Sequence, residues 1–107
     1  MSREALGDFE HHLLLAVLRL GGEAYSVELV EELEQRPGRQ VAQAAVFIVL
    51  QRLEKKGLLQ SRMAESEGGR ARRYFALTPP AIDRLRDSRQ ALLRLWEGVT
   101  EALDETT

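Results

Sequence analysis

Residues 42–59, AQAAVFIVLQRLEKKGLL, followed at 68–80 by GGRARRYFALTPP, decide how this 107-residue chain is read. In the first stretch Val46, Val49, Leu50 and Leu53 recur at spacings of three and four, so they share one face of a helix from about Ala42 to Lys56. Gly57 follows two lysines. Cations suit the negative end of a helix, and glycine takes the left-handed conformation that stops one. The second stretch has a different period. Leu58 to Glu65 and Arg72 to Leu77 suit two strands, separated by the turn cluster Ser66, Glu67, Gly68, Gly69 and Arg70. Thr78, Pro79 and Pro80 then restart a helix, with proline where its missing N–H costs little.

Upstream, Phe9, Leu13, Ala16, Val17 and Leu20 predict a helix from Phe9 to Leu20, with Asp8 as its N-cap and Gly21 and Gly22 ending it. Ser26 is suited to cap a second helix whose apolar stripe is Leu29, Val30 and Leu33, with Glu28, Glu31, Glu32 and Glu34 around it. Pro37 and Gly38 stop that helix. Downstream, Ile82, Leu85, Arg89, Leu92, Trp96, Val99 and Leu103 again step by three and four, a heptad seam with one polar insertion on a helix from Pro79 to about Leu103. A lone helix cannot bury such a seam. Leu93 and Leu95 widen the apolar surface, so these seam residues are read as the interface of a homodimer, with packing on the first helix of its own or a partner chain. The predicted fold is mainly α with a small β-hairpin. A winged helix-turn-helix unit (1–78) packs as one body with a C-terminal dimerisation helix (79–107).

Composition narrows the function. The chain is 44% apolar and 30% charged, the balance of one ordinary globular domain, and too short to enclose a deep active site. Having no cysteine, it has no disulfides, thiolate metal sites or cysteine nucleophiles. The longest apolar run, Ala44 to Leu50, is far short of a membrane span, and no signal peptide is evident at the N-terminus, so a cytoplasmic location is expected. The formal charge of -2 conceals an uneven distribution. Residues 1–41 carry net -4, residues 42–77 net +4 and residues 78–107 net -2. A local basic patch, rather than the whole-chain balance, sets the footprint on a polyanion.

Three stretches of residues now bear on family. Ala24, Tyr25 and Ser26 lead into the second helix. Val46, Phe47, Leu50, Arg52, Leu53, Glu54, Gly57 and Leu58 follow in the third, and Gly68 to Tyr74 passes into Leu77, Thr78 and Pro79. In this order and spacing the chain resembles the PadR family of bacterial transcriptional regulators, in its small form with a single C-terminal dimerisation helix, from Leu6 to about Val99. The resemblance implies a homodimer that binds a palindromic operator in double-stranded DNA, usually as a repressor. Some small members take aromatic or cationic compounds at the dimer interface, so the resemblance implies that Trp96 is either a dimer-core residue or stacks on a small aromatic effector, with Leu92 and Val99 lining the site.

The residues themselves point to the same partner. The third helix would lie in the major groove, with the hairpin fixing its position and half-sites about 34 Å apart. Projection at 100° per residue puts Ala44, Ile48, Gln51, Arg52 and Lys55 opposite the Val46, Leu50 and Leu53 face. Arg52 and Lys55 suit guanine or phosphate, and Gln51 suits adenine or a backbone oxygen. Arg70, Arg72 and Arg73 suit phosphates or the minor groove. Tyr25, Ser26 and Phe47 complete the candidate DNA-binding set. Where relatives commonly have tyrosine, this chain has Phe47, and Ile48 and Val49 replace small or hydroxylated residues. Ile48 then packs on a thymine methyl, or the surface meets a protein and the chain is an interaction module with weak DNA affinity.

Other chemistry is absent from the sequence. His11 and His12 are adjacent and point about 100° apart, which is no metal pair, and no metal or other cofactor is expected. No Ser/His/Asp set, glycine-rich phosphate loop or pocketed acid pair is present, so an enzyme is not expected.

Overall fold

The computed structural model describes residues 6–35, 41–65 and 68–106. Its elements are α1 (Asp8–Arg19), β1 (Glu23–Tyr25), α2 (Ser26–Gln35), α3 (Gln43–Lys55), β2 (Leu59–Glu65), β3 (Ala71–Leu77), α4 (Pro79–Trp96) and α5 (Thr100–Asp104). The anticipated stop at Pro37 and Gly38, and the turn residues Ser66 and Glu67, lie outside the described residues.

The three helices bury the stripes that their periodicity marks out. Leu13, Leu14, Ala16 and Val17 of α1, Leu29 and Leu33 of α2, and Val46, Val49, Leu50 and Leu53 of α3 meet in one core with Phe75 of β3. Phe75 is the largest fully buried side chain, and burial of each such residue contributes about 1.5–3 kcal/mol. Gly21 and Gly57 end α1 and α3 with positive φ (97° and 77°). Around Gly57, Leu58 N–H reaches Leu53 O and Gly57 N–H reaches Glu54 O, both 3.0 Å, the paired bonds of a left-handed helix stop.

Four expectations are corrected. The sheet has three strands in the order β1-β3-β2, because Glu23, Ala24 and Tyr25 pair antiparallel with Ala76, Phe75 and Tyr74. Asp8 is the first helical residue rather than the cap. Gly7 takes the cap position, and its N–H donates to Glu10 Oε1 (3.0 Å). Likewise Ser26 opens α2 as its first residue, while the N–H of the preceding Tyr25 donates to Glu28 Oε1 (3.2 Å). Finally, the last helix breaks. α4 ends at Trp96, Glu97 turns to ψ 125°, Gly98 adopts φ 80°, and a short α5 follows. Val99 and Leu103 therefore do not continue the stripe of Ile82, Leu85 and Leu92 on one straight helix.

α4 starts as its residues dictate: Thr78 Oγ1 accepts from Ala81 N–H (3.4 Å), with prolines in the first turn. Ala81 and Leu85 join the core, and Ser88 Oγ lies 3.1 Å from His11 Nε2 of α1. Beyond that the helix projects from the body. The radius of gyration is 16.3 Å, against about 13 Å for a compact chain of this length.

One ion pair joins the start of α1 to the end of α3. Lys56 Nζ lies 2.9 Å from Glu10 Oε2 and 3.2 Å from Oε1, with Glu10 almost fully buried. Burial pushes the Glu10 carboxyl up, but the Gly7 N–H and the Lys56 ammonium outweigh it and hold the group below its ordinary 4.5. A depressed carboxyl stabilises the fold above its unfolded value, and that stability is lost as pH falls through the folded one. Glu10→Gln is expected to lower unfolding free energy by about 1–2 kcal/mol near neutral pH. In urea titrations the deficit should shrink towards zero as pH falls well below about 4.5. A deficit independent of pH would show that the carboxylate charge is not what stabilises.

Candidate nucleic-acid interface

The pairing register of β2 with β3 determines where the hairpin's cations go. Ser61 lies opposite Phe75, Arg62 opposite Tyr74, Met63 opposite Arg73 and Ala64 opposite Arg72. Side chains alternate between faces along a strand. Arg73 therefore shares the core-side face with Phe75 and Ser61, while Arg72 shares the outer face with Tyr74, Arg62 and, across β1, Tyr25. The neighbouring arginines thus leave β3 from opposite faces and are held by different side chains.

Each setting is built from side chains. The Arg72 guanidinium lies over the Tyr25 ring, 4.3 Å from its centroid, and the Tyr25 and Tyr74 rings meet edge to face at 5.6 Å. Arg62 lies 5.3 Å from the Tyr74 centroid and forms a two-pronged pair with Glu23 (2.6 and 2.9 Å). That pairing holds the Glu23 carboxyl below its ordinary range. The outer face thus carries two tyrosine rings in mutual contact, each with a guanidinium group over it. On the other face, Arg73 Nη1 donates to Ser61 Oγ (3.0 Å), and Ser61 Oγ donates to Glu54 Oε2 (2.6 Å). Glu54 is the one acid of α3. Through Ser61 it is tied to the sheet, while it also lines a hollow with Ile48, Gln51, Arg52 and Lys55 on the outward side of the helix.

That outward side carries Ala44, Ile48, Gln51, Arg52 and Lys55, all exposed, as the helical projection predicts. Phe47 is different: it is 37% exposed, and its ring stands edge-on to Phe75 at 6.3 Å, so it is half a core residue. Tyr25, Ser26, Val27, Phe47, Arg70, Arg72, Arg73 and Phe75 line a shallow hollow of about 410 Å3, which joins the start of α2, the middle of α3 and the hairpin. Tyr25, Ser26, Phe47, Arg70, Arg72 and Arg73 therefore share one hollow, while Ile48, Gln51, Arg52 and Lys55 line a second one on α3 together with Glu54.

Sequence reasoning passed over two residues that contact members of the candidate set or their neighbours. Gln43, the first residue of α3, donates from Nε2 to Ser26 Oγ (3.4 Å) and ties the two helix starts together. Arg62 is the second, and its place opposite Tyr74 follows only once the register is known.

The residues read as a dimer seam divide between two settings. Leu85 is buried in the chain's own core and Ile82 is half-buried, whereas Arg89, Leu92, Trp96, Val99 and Leu103 are exposed. Leu93 and Leu95 are exposed as well. Among the described residues no group of three His, Asp or Glu side chains is placed to hold a metal, and no helix is long and apolar enough to cross a membrane.

Three helices followed by a basic hairpin, with the third helix presenting a polar, cationic side, define the winged helix-turn-helix class. F93 from STIV, a winged-helix DNA-binding protein, shares this fold with a TM-score of 0.67 at 13% identity, over 89% of this chain and 98% of that one. The family is settled by the match of residues 14–87 to the transcriptional regulator PadR-like family. The chain belongs to the PadR-like family of transcriptional regulators, a family of regulators and not of enzymes. A PadR-like transcriptional regulator from Bacillus cereus has the same fold (TM-score 0.75, 21% identity, 92% of this chain and 93% of that one). An uncharacterized protein of Lysinibacillus sphaericus is 29% identical over 97 residues, 87% of this chain and 85% of that protein.

Proposed function

We propose that this regulator is a cytoplasmic homodimeric repressor that binds a palindromic operator in double-stranded DNA. In this reading α3 enters the major groove, and the β2–β3 hairpin lies on the flanking backbone. The observation that carries it is the hollow where the start of α2, the middle of α3 and three hairpin arginines converge, with a second hollow lined by Ile48, Gln51, Arg52 and Lys55 on α3 itself. Dimerisation is supported by the uncovered apolar surface of α4 and by its charge distribution. Residues 82–95 carry four arginines against two aspartates, and residues 96–107 carry only acids. An antiparallel partner would set the acidic end of one chain against the basic half of the other. Trp96, at the end of α4 with Leu92 one turn before it, is the proposed seat of a small aromatic effector.

Selection from a random duplex pool with the native protein tests this. Enriched sequences should be inverted repeats with half-site centres about 34 Å apart, bound less tightly as salt rises. A planar aromatic effector should release the duplex while changing Trp96 fluorescence. A pool that stays random would favour the alternative of a protein-interaction module, for which exposed Ile48 and Phe47 are the support.

A further inference from the structure

We propose that Ile48, backed by Ala44, reads the 5-methyl group of a thymine in each half-site and makes the protein select thymine over cytosine at that base pair. The proposal rests on the DNA-binding reading above and adds the chemistry of the base that is read.

Ile48 is 57% exposed near the middle of α3. Along the same side of the helix Ala44 lies one turn before it, Gln51 and Arg52 one turn after, and Lys55 a further turn on. The stripe therefore runs from apolar to polar. Its first half offers a base edge no side-chain hydrogen-bonding group, and its second half offers an amide and two cations. Phe47 does not compete for the apolar role, because its ring is committed to Phe75.

Charge decides what covers this patch. Arg52 and Lys55 continue the stripe, and Arg70 and Arg73 stand on the adjoining hairpin. The one acid of α3, Glu54, is engaged by the Ser61 hydroxyl and backbone N–H (2.6 and 3.2 Å). An aliphatic group flanked by Arg52 and Lys55, in a hollow whose one carboxylate, Glu54, is engaged by Ser61, matches the floor of a groove walled by phosphates.

Within the major groove only thymine presents an apolar group; the other bases present donors or acceptors. Against the thymine methyl, Ile48 removes apolar surface from water on both sides. Against cytosine the same side chain would cover the N4 amino group without offering an acceptor, leaving a desolvated donor. Discrimination thus has an attractive and a repulsive part.

The experiment uses the site enriched from the random pool and replaces each thymine in turn by deoxyuridine, which removes the methyl group and keeps every hydrogen-bonding atom. One thymine per half-site is expected to matter, with native binding weakened about 3- to 10-fold by uracil there. Cytosine at that position is expected to weaken it about 10-fold or more. Ile48→Ala, a surface change that leaves the fold intact, should bind the thymine and uracil duplexes equally. If no uracil weakens native binding, or if Ile48→Ala keeps the full difference, the methyl-reading role is overturned while DNA recognition stands. If no sequence is enriched at all, the recognition reading fails and this inference fails with it.

Discussion

Replacing Arg70, Arg72 and Arg73 together by alanine is expected to weaken binding to the selected duplex about 100- to 1,000-fold near 0.1 M salt, and to flatten the salt dependence by about three charges. Each lost phosphate contact removes about 0.9 from the logarithmic salt slope, so three losses compound at moderate salt. The arginines differ in how firmly they are held. Arg72 is stacked on Tyr25 and Arg73 is tethered through Ser61, so both are partly ordered before any partner arrives, and less entropy is lost on binding. Thermal melting should change little, because Arg70 and Arg73 are exposed and Arg72 is only half-buried. A filter-binding series over salt gives both numbers. An unchanged slope would mean that the hairpin does not touch the backbone of the DNA.

The second large effect is expected at the other end of the molecule. Leu92→Glu combined with Trp96→Glu should convert the proposed dimer to a monomer in sedimentation equilibrium, with the dimer dissociation constant raised about 10,000-fold or more. In a two-fold interface each substitution acts twice, so four buried side chains are lost per dimer. Within the chain both residues are exposed, at 56% and 41%, so the winged unit should keep its fold and circular dichroism spectrum. The monomer should then bind the palindrome only as strongly as a single half-site. A variant that stays dimeric would place the interface elsewhere, for example on the exposed Leu18 side of α1.

Much of this architecture was legible in the residues, and the omissions have physical causes. The buried stripes of α1, α2 and α3 follow from helical period, and the Gly57 stop from local chemistry. β1 escaped notice because a three-residue strand has no periodicity to show and exists only through pairing with β3, some fifty residues later. The Glu10–Lys56 pair is equally non-local. The break after Trp96 was hidden for a different reason: the heptad spacing runs on through Val99 and Leu103, although Gly98 interrupts the backbone beneath it. On the interface, helical projection identified the outward side of α3. The hairpin register was not legible, so neither was the fact that Arg72 and Arg73 reach their common hollow from opposite faces of β3.

That alternation imposes a parity rule on how the hairpin can vary. β3 is the central strand, pinned by β1 on one side and β2 on the other. Lengthening the tip around Gly69 leaves both pairings in place and merely moves Arg70. One extra residue between Arg73 and Tyr74 would instead exchange the faces of Arg72 and Arg73, turning one guanidinium off its tyrosine and the other off its serine, and a second extra residue would restore them. Loop length in this protein is therefore a continuous variable, whereas the positions of its strand cations can change only in steps of two.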